Sequence, residues 1–379
     1  MPSSRRTFLK LIGGGVVLAA GASTAFVTTR TPAHALAPWG AAGQYDDPRM
    51  RALSYAILAP NPHNRQPWQA RLDWDDTVTL FRDPELNLPH TDPYDRQLTI
   101  GMGCFIEQFV LAAGLDGFAT DVTLFPQGEG AGDPTATLTL RPGAAEDPLA
   151  TQMPYRRSCK EPFDASRPVE ASALSALADL SQPNMAVFAS DEAPVVAALK
   201  DLTWQAWVVE AETPHTYKES VDLMRIGKAE INAQPDGIDM GGALFEILSL
   251  LGQFDREVLL DTSSTAYQQG FAIYKDMLAA TPAYVWLTSP GNSRVDQIAA
   301  GRSWLRVNLT TTALGLSLHP VSQCLQEYPE MAPHYATAHS LLAQPGETVQ
   351  MLGRVGYGPE VPITPRWPVE AKLIDPSTA

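Results

Sequence analysis

The sequence has few of the residues that would support a disulfide framework or a metal site. Its three cysteines, Cys104, Cys159 and Cys324, lie far apart and form no C-x-x-C pair, so neither a disulfide scaffold nor a zinc site is indicated. Its seven histidines show no H-x-x-x-H or H-x-H pair, which argues against a metalloenzyme. No catalytic triad or paired-carboxylate signature is evident either. Any chemistry therefore has to come from something other than these groups.

Positive charge is also scarce. The chain has 27 Lys and Arg residues against 42 Asp and Glu. Leaving out the four basic residues among the first 35 gives 23 against 42, a net charge of −19. This balance argues against a nucleic-acid partner. In so acidic a chain, a local cluster of Arg and Lys indicates a bound anion.

The N-terminus has the pattern of a twin-arginine signal peptide. Arg5 and Arg6 are followed by a charge-free stretch over residues 11–27 and an A-x-A site at residues 33–35, which is typical of proteins exported in the folded state by the Tat translocase. A retained membrane anchor is the alternative, but it needs about 20 strongly apolar residues, and glycines dilute this stretch. We expect residues 1–35 to be removed and the protein to be periplasmic or otherwise exported.

The mature chain, with roughly 340 residues, is long enough for two units that each have a core. The Pro- and Gly-containing stretch at 141–148 is the best boundary between them, giving a first half at 44–148 and a second at 152–379. Capping and periodicity in the first half predict two helices and four strands: helices at 46–59 and 96–115, and strands at 69–74, 77–82, 120–125 and 135–140. In the second half they predict helices at 255–280 and 296–314 and strands at 283–289 and 348–357.

The long helices near residues 96 and 302 are each followed by glycine and resemble one another, which favours two α+β halves of related design. Chance similarity of two buried helices is the alternative. A Gly- and Pro-containing stretch near 228–245 has the composition of a movable lid, although a plain surface loop has the same composition.

Two local clusters could bind a ligand. The first is Arg156-Arg157-Ser158-Cys159-Lys160, in which three cations and a hydroxyl suit a phosphate; a solvated surface is the alternative. The second is the loop at 60–68, where three prolines stiffen a segment carrying three amide side chains. Such a loop suits the polar edge of a planar heterocycle, and a simple helix stop is the alternative.

These segments resemble motifs of the FMN-dependent nitroreductases. The loop at 59–68, A-P-N-P-H-N-R-Q-P-W, is similar to their Q-P-W loop, and residues 156–160 are similar to their R-R-S phosphate motif. Residues 354–358 and 365–370 resemble their closing strand and basic tail. Because the Q-P-W loop precedes the R-R-S motif, the order resembles the Acg-type branch, in which one chain contains two fused nitroreductase-like halves. The resemblance implies an α+β fold, each half a mainly antiparallel sheet packed with helices, and one FMN site at the interface.

The same resemblance implies the residues that bind FMN. One group would hold the phosphate and the N1/O2 side of the ring: Arg156, Ser158 and Lys160, with Arg366 as a second clamp and Arg354 as a further candidate. A second group would pack on and hydrogen-bond the flavin from the first half: Pro60, Asn61 and Asn64. A third would lie near N5: Pro320, Ser322 and Gln323. No catalytic side chain and no metal is expected, because the flavin supplies the chemistry.

The expected function is that of an exported FMN-dependent oxidoreductase, which reduces a nitro compound, a quinone or a similar small acceptor. The electron donor is unknown, because NAD(P)H is not normally available outside the cytoplasm. A protein that binds or sequesters FMN with little turnover is the alternative, and an exported solute-binding protein without flavin is a third reading. We expect a monomer that mimics the dimer of the family.

Overall fold

The computed structural model describes residues 29–74 and 76–375 of the chain. The twin-arginine motif and its apolar stretch lie outside the described residues. The described part confirms the α+β prediction: it contains two four-stranded antiparallel sheets and one pair of short parallel strands. Each four-stranded sheet is packed with helices.

The first half contains one of these sheets and a long central helix. Asp47 caps the second helix by accepting a hydrogen bond from the Arg49 amide at 2.8 Å, and the sheet order is β1-β2-β4-β3. The four predicted strands and the predicted helix at 96–115 are confirmed, with strand ends moved by at most two residues. The elements are α1 (Ala33–Ala41), α2 (Pro48–Ala56), β1 (Trp68–Asp73), β2 (Thr77–Arg82), α3 (Arg96–Leu115), β3 (Phe118–Leu124) and β4 (Ala136–Pro142).

The second half contains the other sheet, in the order β5-β8-β10-β9, surrounded by more helices than the sequence pattern predicted. Its elements are α4 (Ala171–Ala178), β5 (Ala186–Ser190), α5 (Ala193–Glu212), α6 (Pro214–Asp222), β6 (Met224–Ile226), α7 (Gly227–Ala233), β7 (Ile238–Met240), α8 (Ala243–Leu250), α9 (Arg256–Leu260), α10 (Thr265–Ala279), β8 (Ala283–Ser289), α11 (Arg294–Ala313), β9 (Ser317–Pro320), α12 (Ala332–Leu342) and β10 (Thr348–Gly356).

The single helix predicted at 255–280 is wrong, because two helices occupy that range. The Asp255 side chain caps α9 by accepting from the Val258 amide at 2.9 Å. The Ser264 hydroxyl then caps α10 by accepting from the Tyr267 amide at 3.1 Å. Each cap satisfies amide groups that a new helix leaves unpaired, so the chain restarts its helix at Ser264. The predicted strand at 283–289 and the helix at 296–314 are confirmed, the helix beginning two residues earlier.

Helices α3 and α11 join the two halves by direct backbone contact. A Cβ atom on Gly301 would lie 1.9 Å from the Ile100 carbonyl oxygen, and one on Gly103 would lie 2.2 Å from the Ile298 carbonyl oxygen. Any side chain at either position would therefore push the helices apart. One hydrophobic core accordingly runs through both halves, with Phe105 from the first and Trp304 from the second.

Helix α3 is long and apolar enough to cross a membrane by length and composition. However, 89% of its most apolar window is buried inside the protein. Arg302 and Arg306 of α11 both pair with Glu107 of α3, at 2.7 and 2.9 Å. These contacts identify α3 as the core helix of a folded chain.

Both ends of the described chain cross between the halves. The tail after β10 returns to the first sheet, where the Ile374 amide donates to the Ala70 carbonyl oxygen at 2.9 Å. In helix α1, Ala35 is 1% exposed; its amide donates to Asn232 Oδ1 at 3.1 Å, and its carbonyl oxygen accepts from the Arg366 amide at 2.8 Å. The A-x-A site at 33–35 therefore belongs to a packed helix, and the folded body begins before residue 44, where the sequence analysis placed its start.

We predict that Gly301→Ala destabilises the protein by about 1–3 kcal/mol or more, as overpacking does, because the new Cβ meets backbone that cannot move aside alone. The measurement is the free energy of unfolding in urea. Gly270→Ala is the matched control, because a Cβ on this helical glycine meets nothing within 4 Å; it should stabilise by about 0.5–1 kcal/mol through helix propensity. Equal stability of the two variants would contradict the role assigned to the helix contact.

Candidate functional site

The loop at 60–68 has a strained backbone that its own amide side chains hold in place. His63, Asn64 and Gln66 have positive φ angles of 48°, 53° and 51°, a conformation that costs roughly 1–3 kcal/mol for a residue other than glycine. Asn61 Oδ1 accepts from the Gln66 amide at 2.7 Å and ties the loop across this turn. Strain retained in this way is characteristic of a loop that presents groups to a site.

Asn64 and Gln66 use their amides on the rest of the protein. Asn64 Nδ2 donates to the carbonyl oxygens of Pro235, at 3.3 Å, and Pro365, at 3.1 Å. Gln66 Nε2 donates to the same Pro235 oxygen at 2.8 Å, and its Oε1 accepts from the Trp367 amide at 2.9 Å. In this structure the loop therefore binds the C-terminal tail and the segment around Pro235. Contact between the Asn61 or Asn64 amide and a cofactor stays a prediction.

Arg156 and Arg366 form a pair of buried cations. Both are 3% exposed, and both donate to the Leu58 carbonyl oxygen, at 3.0 and 3.1 Å. Arg366 also donates to Asn64 Oδ1 at 2.6 Å. The structure thus brings together two predicted site residues that lie far apart in the sequence.

In the described part of the chain, no carboxylate forms an ion pair with either of these guanidinium groups. Among the residues that the structure describes, none of the ion pairs involves Arg156 or Arg366, and the Nε atom of each is buried without a hydrogen-bond partner. Burial, and then the neighbouring Arg157, lowers the pKa of Arg156 to about 10. Burial likewise lowers the pKa of Arg366, and Arg156 and Arg157 add to the effect. Buried charges of one sign need a counter-ion, so this pair suits an anion.

Trp39 of α1 lies beside these cations. The Arg157 guanidinium is 4.6 Å from the centre of the Trp39 ring, and that of Arg366 is 5.7 Å away. The indole Nε1 donates to the Thr364 carbonyl oxygen at 2.7 Å. Sequence reasoning missed Trp39, because the residue lies just beyond the predicted signal peptide.

Arg354 does not act as a phosphate clamp, which corrects that prediction. It is 0% exposed, its Nε donates to His319 Nδ1 at 3.0 Å, and its Nη2 donates to the carbonyl oxygens of Cys159 and Glu161 at 3.0 and 2.6 Å. Its Nη1 donates to the Met277 carbonyl oxygen at 3.0 Å, so all three nitrogens of Arg354 have protein partners, whereas Arg156 and Arg366 each keep an unpartnered Nε. Arg354 instead positions the basic motif, which also joins β9 through the Cys159 amide and the Leu318 carbonyl oxygen at 2.9 Å.

Lys160 connects the basic motif with both of the other predicted segments. Burial lowers the pKa of His63 in the loop to about 4, and the Lys160 charge contributes. Burial also lowers the pKa of His319 in β9, where the charges of Arg354 and Lys160 contribute. Lys160 itself is exposed. Its charge therefore acts on both the loop of the first half and β9.

The remaining predicted residues lie around these segments. Pro320 is the last residue of β9 and pairs with Gly353, and Gln323 begins a 3-10 helix, Gln323–Leu325. Ser322 Oγ lies 3.4 Å from Gln97 Oε1 of α3, which brings the second half to the start of the central helix of the first. Pro60 and Ser158 are half-buried. The cofactor contacts assigned to these residues stay predictions.

The segment at 233–241 is ordered by a buried ion triad. Asp236 is 3% exposed, and its carboxylate pairs with Arg65 at 2.5 Å and with Arg225 at 3.2 Å. The Gly237 amide donates to the Asn64 carbonyl oxygen at 3.1 Å. The tip of the predicted lid at 228–245 is thus bound to the 60–68 loop, which a plain surface loop would not require.

Comparison with known proteins gives relatives at low identity over most of the chain. No known family profile matches. Two relatives come from Mycobacterium tuberculosis strain H37Rv, and both carry provisional names as NAD(P)H nitroreductases. One, Rv3131, is 25% identical over 348 residues, covering 84% of this chain and 91% of its own. The other, acg, is 26% identical over 332 residues, covering 84% and 93%. This chain is related to proteins named nitroreductases.

Two solved structures illustrate the structural likeness. The FMN-dependent nitroreductase NfnB from Mycobacterium smegmatis, solved with NADPH, is 17% identical and covers 59% of this chain and 96% of its own, with a TM-score of 0.37. A nitroreductase with bound FMN from Bacteroides fragilis is 13% identical and covers 62% and 97%, with a TM-score of 0.32.

We predict that Asp236→Asn destabilises the protein by about 3–5 kcal/mol, because two buried guanidinium groups lose their counter-ion. The free energy of unfolding measures the loss, and faster hydrogen exchange over residues 233–241 should accompany it. The control is Asp222→Asn, whose carboxylate is 49% exposed and pairs with Lys218; it should change stability by less than about 1 kcal/mol. A loss no larger than in the control would show that the triad does not hold the segment.

Proposed function

We propose that this chain is an exported FMN-binding oxidoreductase of nitroreductase type, which passes electrons from flavin N5 to a nitro compound, a quinone or a similar small acceptor. The observation that carries the proposal is the buried pair of Arg156 and Arg366, which share the Leu58 carbonyl oxygen and have no carboxylate partner among the residues that the structure describes. A phosphate monoester supplies the negative charge and the acceptor oxygens that such a pair requires.

The donor set of the site fits FMN. Arg156 and Arg366 would hold the phosphate through the Nε atoms that are buried without a partner. Lys160 would lie at the N1/O2 side of the ring, where a cation favours electron uptake. When bound, the flavin supplies hydride transfer at N5, so the protein needs only to bind, orient and shield it. The segment at 320–323 would supply backbone groups near N5.

The relatives support the oxidoreductase class, because both are named as NAD(P)H nitroreductases. Their names also suggest a reduced nicotinamide as the donor. The proposed export limits the choice of donor, because NAD(P)H is not normally available outside the cytoplasm. Export itself is favoured by Arg5 and Arg6 with the following apolar stretch, which fit passage through the Tat translocase. A folded chain can bind FMN in the cytoplasm before it crosses. We therefore leave the donor as the variable that the experiment has to identify.

We further propose that the protein acts as a monomer. Helices α3 and α11 pack the two halves against each other within one chain, and the cation pair uses the Leu58 carbonyl oxygen of one half and guanidinium groups of the other. A second chain is not needed to complete this site. Sedimentation of the FMN-loaded protein measures the oligomeric state, and a dimer would overturn the proposal.

Flavin sequestration with little turnover is a second candidate, favoured by one observation. The segment at 233–241 is bound to the 60–68 loop by the Asp236 triad and by hydrogen bonds from Asn64 and Gln66 to Pro235. A segment held in this way would limit the access of an acceptor to the ring.

The visible spectrum of the purified mature protein tests both candidates. We expect a yellow protein that loses its flavin absorbance on anaerobic addition of dithionite. Bleaching by NADPH or NADH, followed by reoxidation with a quinone or nitro compound, supports the oxidoreductase. Bleaching by dithionite alone, with no reoxidation by these acceptors, supports sequestration. A colourless protein that takes up no added FMN contradicts both.

We predict that Arg156→Ala combined with Lys160→Ala abolishes FMN retention, because the phosphate loses one guanidinium and the ring loses its nearest predicted cation. The flavin-to-protein ratio after gel filtration measures retention. Arg141→Ala is the control, because Arg141 forms only exposed ion pairs with Asp76 and Asp121 and should leave the ratio unchanged. Full retention in the double variant would show that the phosphate lies elsewhere.

A further inference from the structure

Glu210 is a buried carboxyl next to the proposed site that no predicted contact uses. It lies near the end of helix α5 and is 9% exposed. Its Oε2 accepts a hydrogen bond from Gln326 Nε2 at 2.8 Å. Gln326 ends the 3-10 helix Gln323–Leu325, so Glu210 contacts the end of the segment proposed to be near flavin N5. No residue within hydrogen-bond or ion-pair distance neutralises it: the described ion pairs do not include Glu210.

The charged and titratable groups that face Glu210 come from four elements. Lys160 lies in the basic motif, Glu219 in α6, Tyr274 in α10 and Tyr328 in the segment after β9. Burial raises the pKa of Glu210 to about 7; the Glu219 carboxylate raises it further, while the hydrogen bond from Gln326 and the Lys160 charge oppose the rise. Glu210 is therefore balanced between its two protonation states near neutral pH.

Two buried amide atoms on either side of this segment have no partner in the described protein. Gln326 Oε1 and Gln97 Nε2 are both unpaired, although each residue is only 9% exposed. Gln97 in turn lies against Ser322. Unpaired buried polar atoms usually bind water or a ligand, so this segment has two polar atoms available to one.

We propose that Glu210 is the redox-linked proton site of this protein: it binds a proton from bulk water when the site gains two electrons, and it releases the proton when the electrons leave. The inference rests on the proposed FMN function. The two electrons add negative charge near Lys160. This charge offsets the Lys160 cation, which favours the ionised form of Glu210, and so raises the affinity of Glu210 for a proton. Glu210 holds the proton and need not touch the acceptor.

The proton count matches the proposed acceptor class. Reduction of a quinone to a hydroquinone consumes two electrons and two protons, and one of these protons travels with the electron pair as hydride. FMN, when bound and reduced, would supply that hydride, and the Glu210 carboxyl would supply the second proton. Glu210 then stays ionised until the site is reduced again. In the experiment below, dithionite serves as the reductant.

The experiment is to measure the two-electron midpoint potential of the FMN-loaded protein between pH 5 and pH 9. For a two-electron couple, each linked proton shifts the potential by about 30 mV for a tenfold change in proton concentration. In the wild-type protein we expect a region near neutral pH in which the slope is about 60 mV per pH unit, flanked by regions of about 30 mV. Glu210→Gln should give about 30 mV throughout.

Glu212→Gln is the matched control. It removes the same charge from an exposed position of the same helix and should retain the wild-type pH profile. As a second readout, the reduced-minus-oxidised infrared spectrum should show a protonated-carboxyl band in the wild-type and Glu212→Gln proteins but not in Glu210→Gln.

The outcomes separate the two proposals. In one outcome, the wild-type protein binds flavin, shows a single slope of midpoint potential against pH, and gives no carboxyl band in its infrared spectrum. That result overturns the role of Glu210 and leaves the proposed function standing. This comparison needs no variant. A steep region that persists in Glu210→Gln also overturns it. A chain that takes up no FMN overturns both proposals.

Discussion

Helices α3 and α11 cross where Gly103 meets Gly301, and the remaining architecture depends on how close this contact is. A Cβ at Gly301 would lie 1.9 Å from a carbonyl oxygen of the facing helix, so only hydrogen atoms fit between the backbones. This approach lets side chains such as Phe105 and Trp304 join one core. It also brings the start of α3, with Gln97, to Ser322 of the second half. Two sheets that could each form a separate unit are thereby held in one fixed relation.

That relation creates a site that neither half contains alone. Leu58 ends the helical turn of the first half, and its carbonyl oxygen accepts from Arg156 and from Arg366. Two like charges side by side in a buried position are unfavourable unless an anion binds with them. Other buried ions of the described chain have partners of opposite charge, as in the Asp236 triad and the Glu107 pairs. The unpaired cations are therefore the feature that most directly indicates a ligand.

The buried carboxyls of Asp236 and Glu210 have different partners in this protein. Asp236 lies between two guanidinium groups and holds a segment against the 60–68 loop. Glu210 has a neutral amide as its hydrogen-bond donor and a second carboxylate, Glu219, nearby. The first arrangement stabilises one charge state and one conformation. The second leaves the charge state open, which is a property suited to a redox site and not to a structural support.

Much of the local structure could be predicted from sequence because its causes are local. Strands β3 and β4 alternate in burial, and the long helix at 96–115 is mostly apolar, so their bounds follow from the sequence pattern. The break at Ser264 was missed although the cap is local, since an apolar pattern continues on both sides of it. Helix α5, which carries Glu210, was missed because it is neither clearly amphipathic nor marked by a side-chain cap.

By itself, the sequence determined the α+β class, most of the elements of the first half, and the clusters at 60–68 and 156–160. Only the tertiary structure decided which cations meet. Arg366 reaches the Leu58 carbonyl oxygen across 308 residues and Arg156 across 98. It also decided that Arg354 is a buried support for the basic motif, and that Trp39 lies among the cations. The physical reason is that burial and hydrogen-bond partners depend on which distant surfaces pack together, whereas helix caps and strand periodicity depend on neighbours within a few residues.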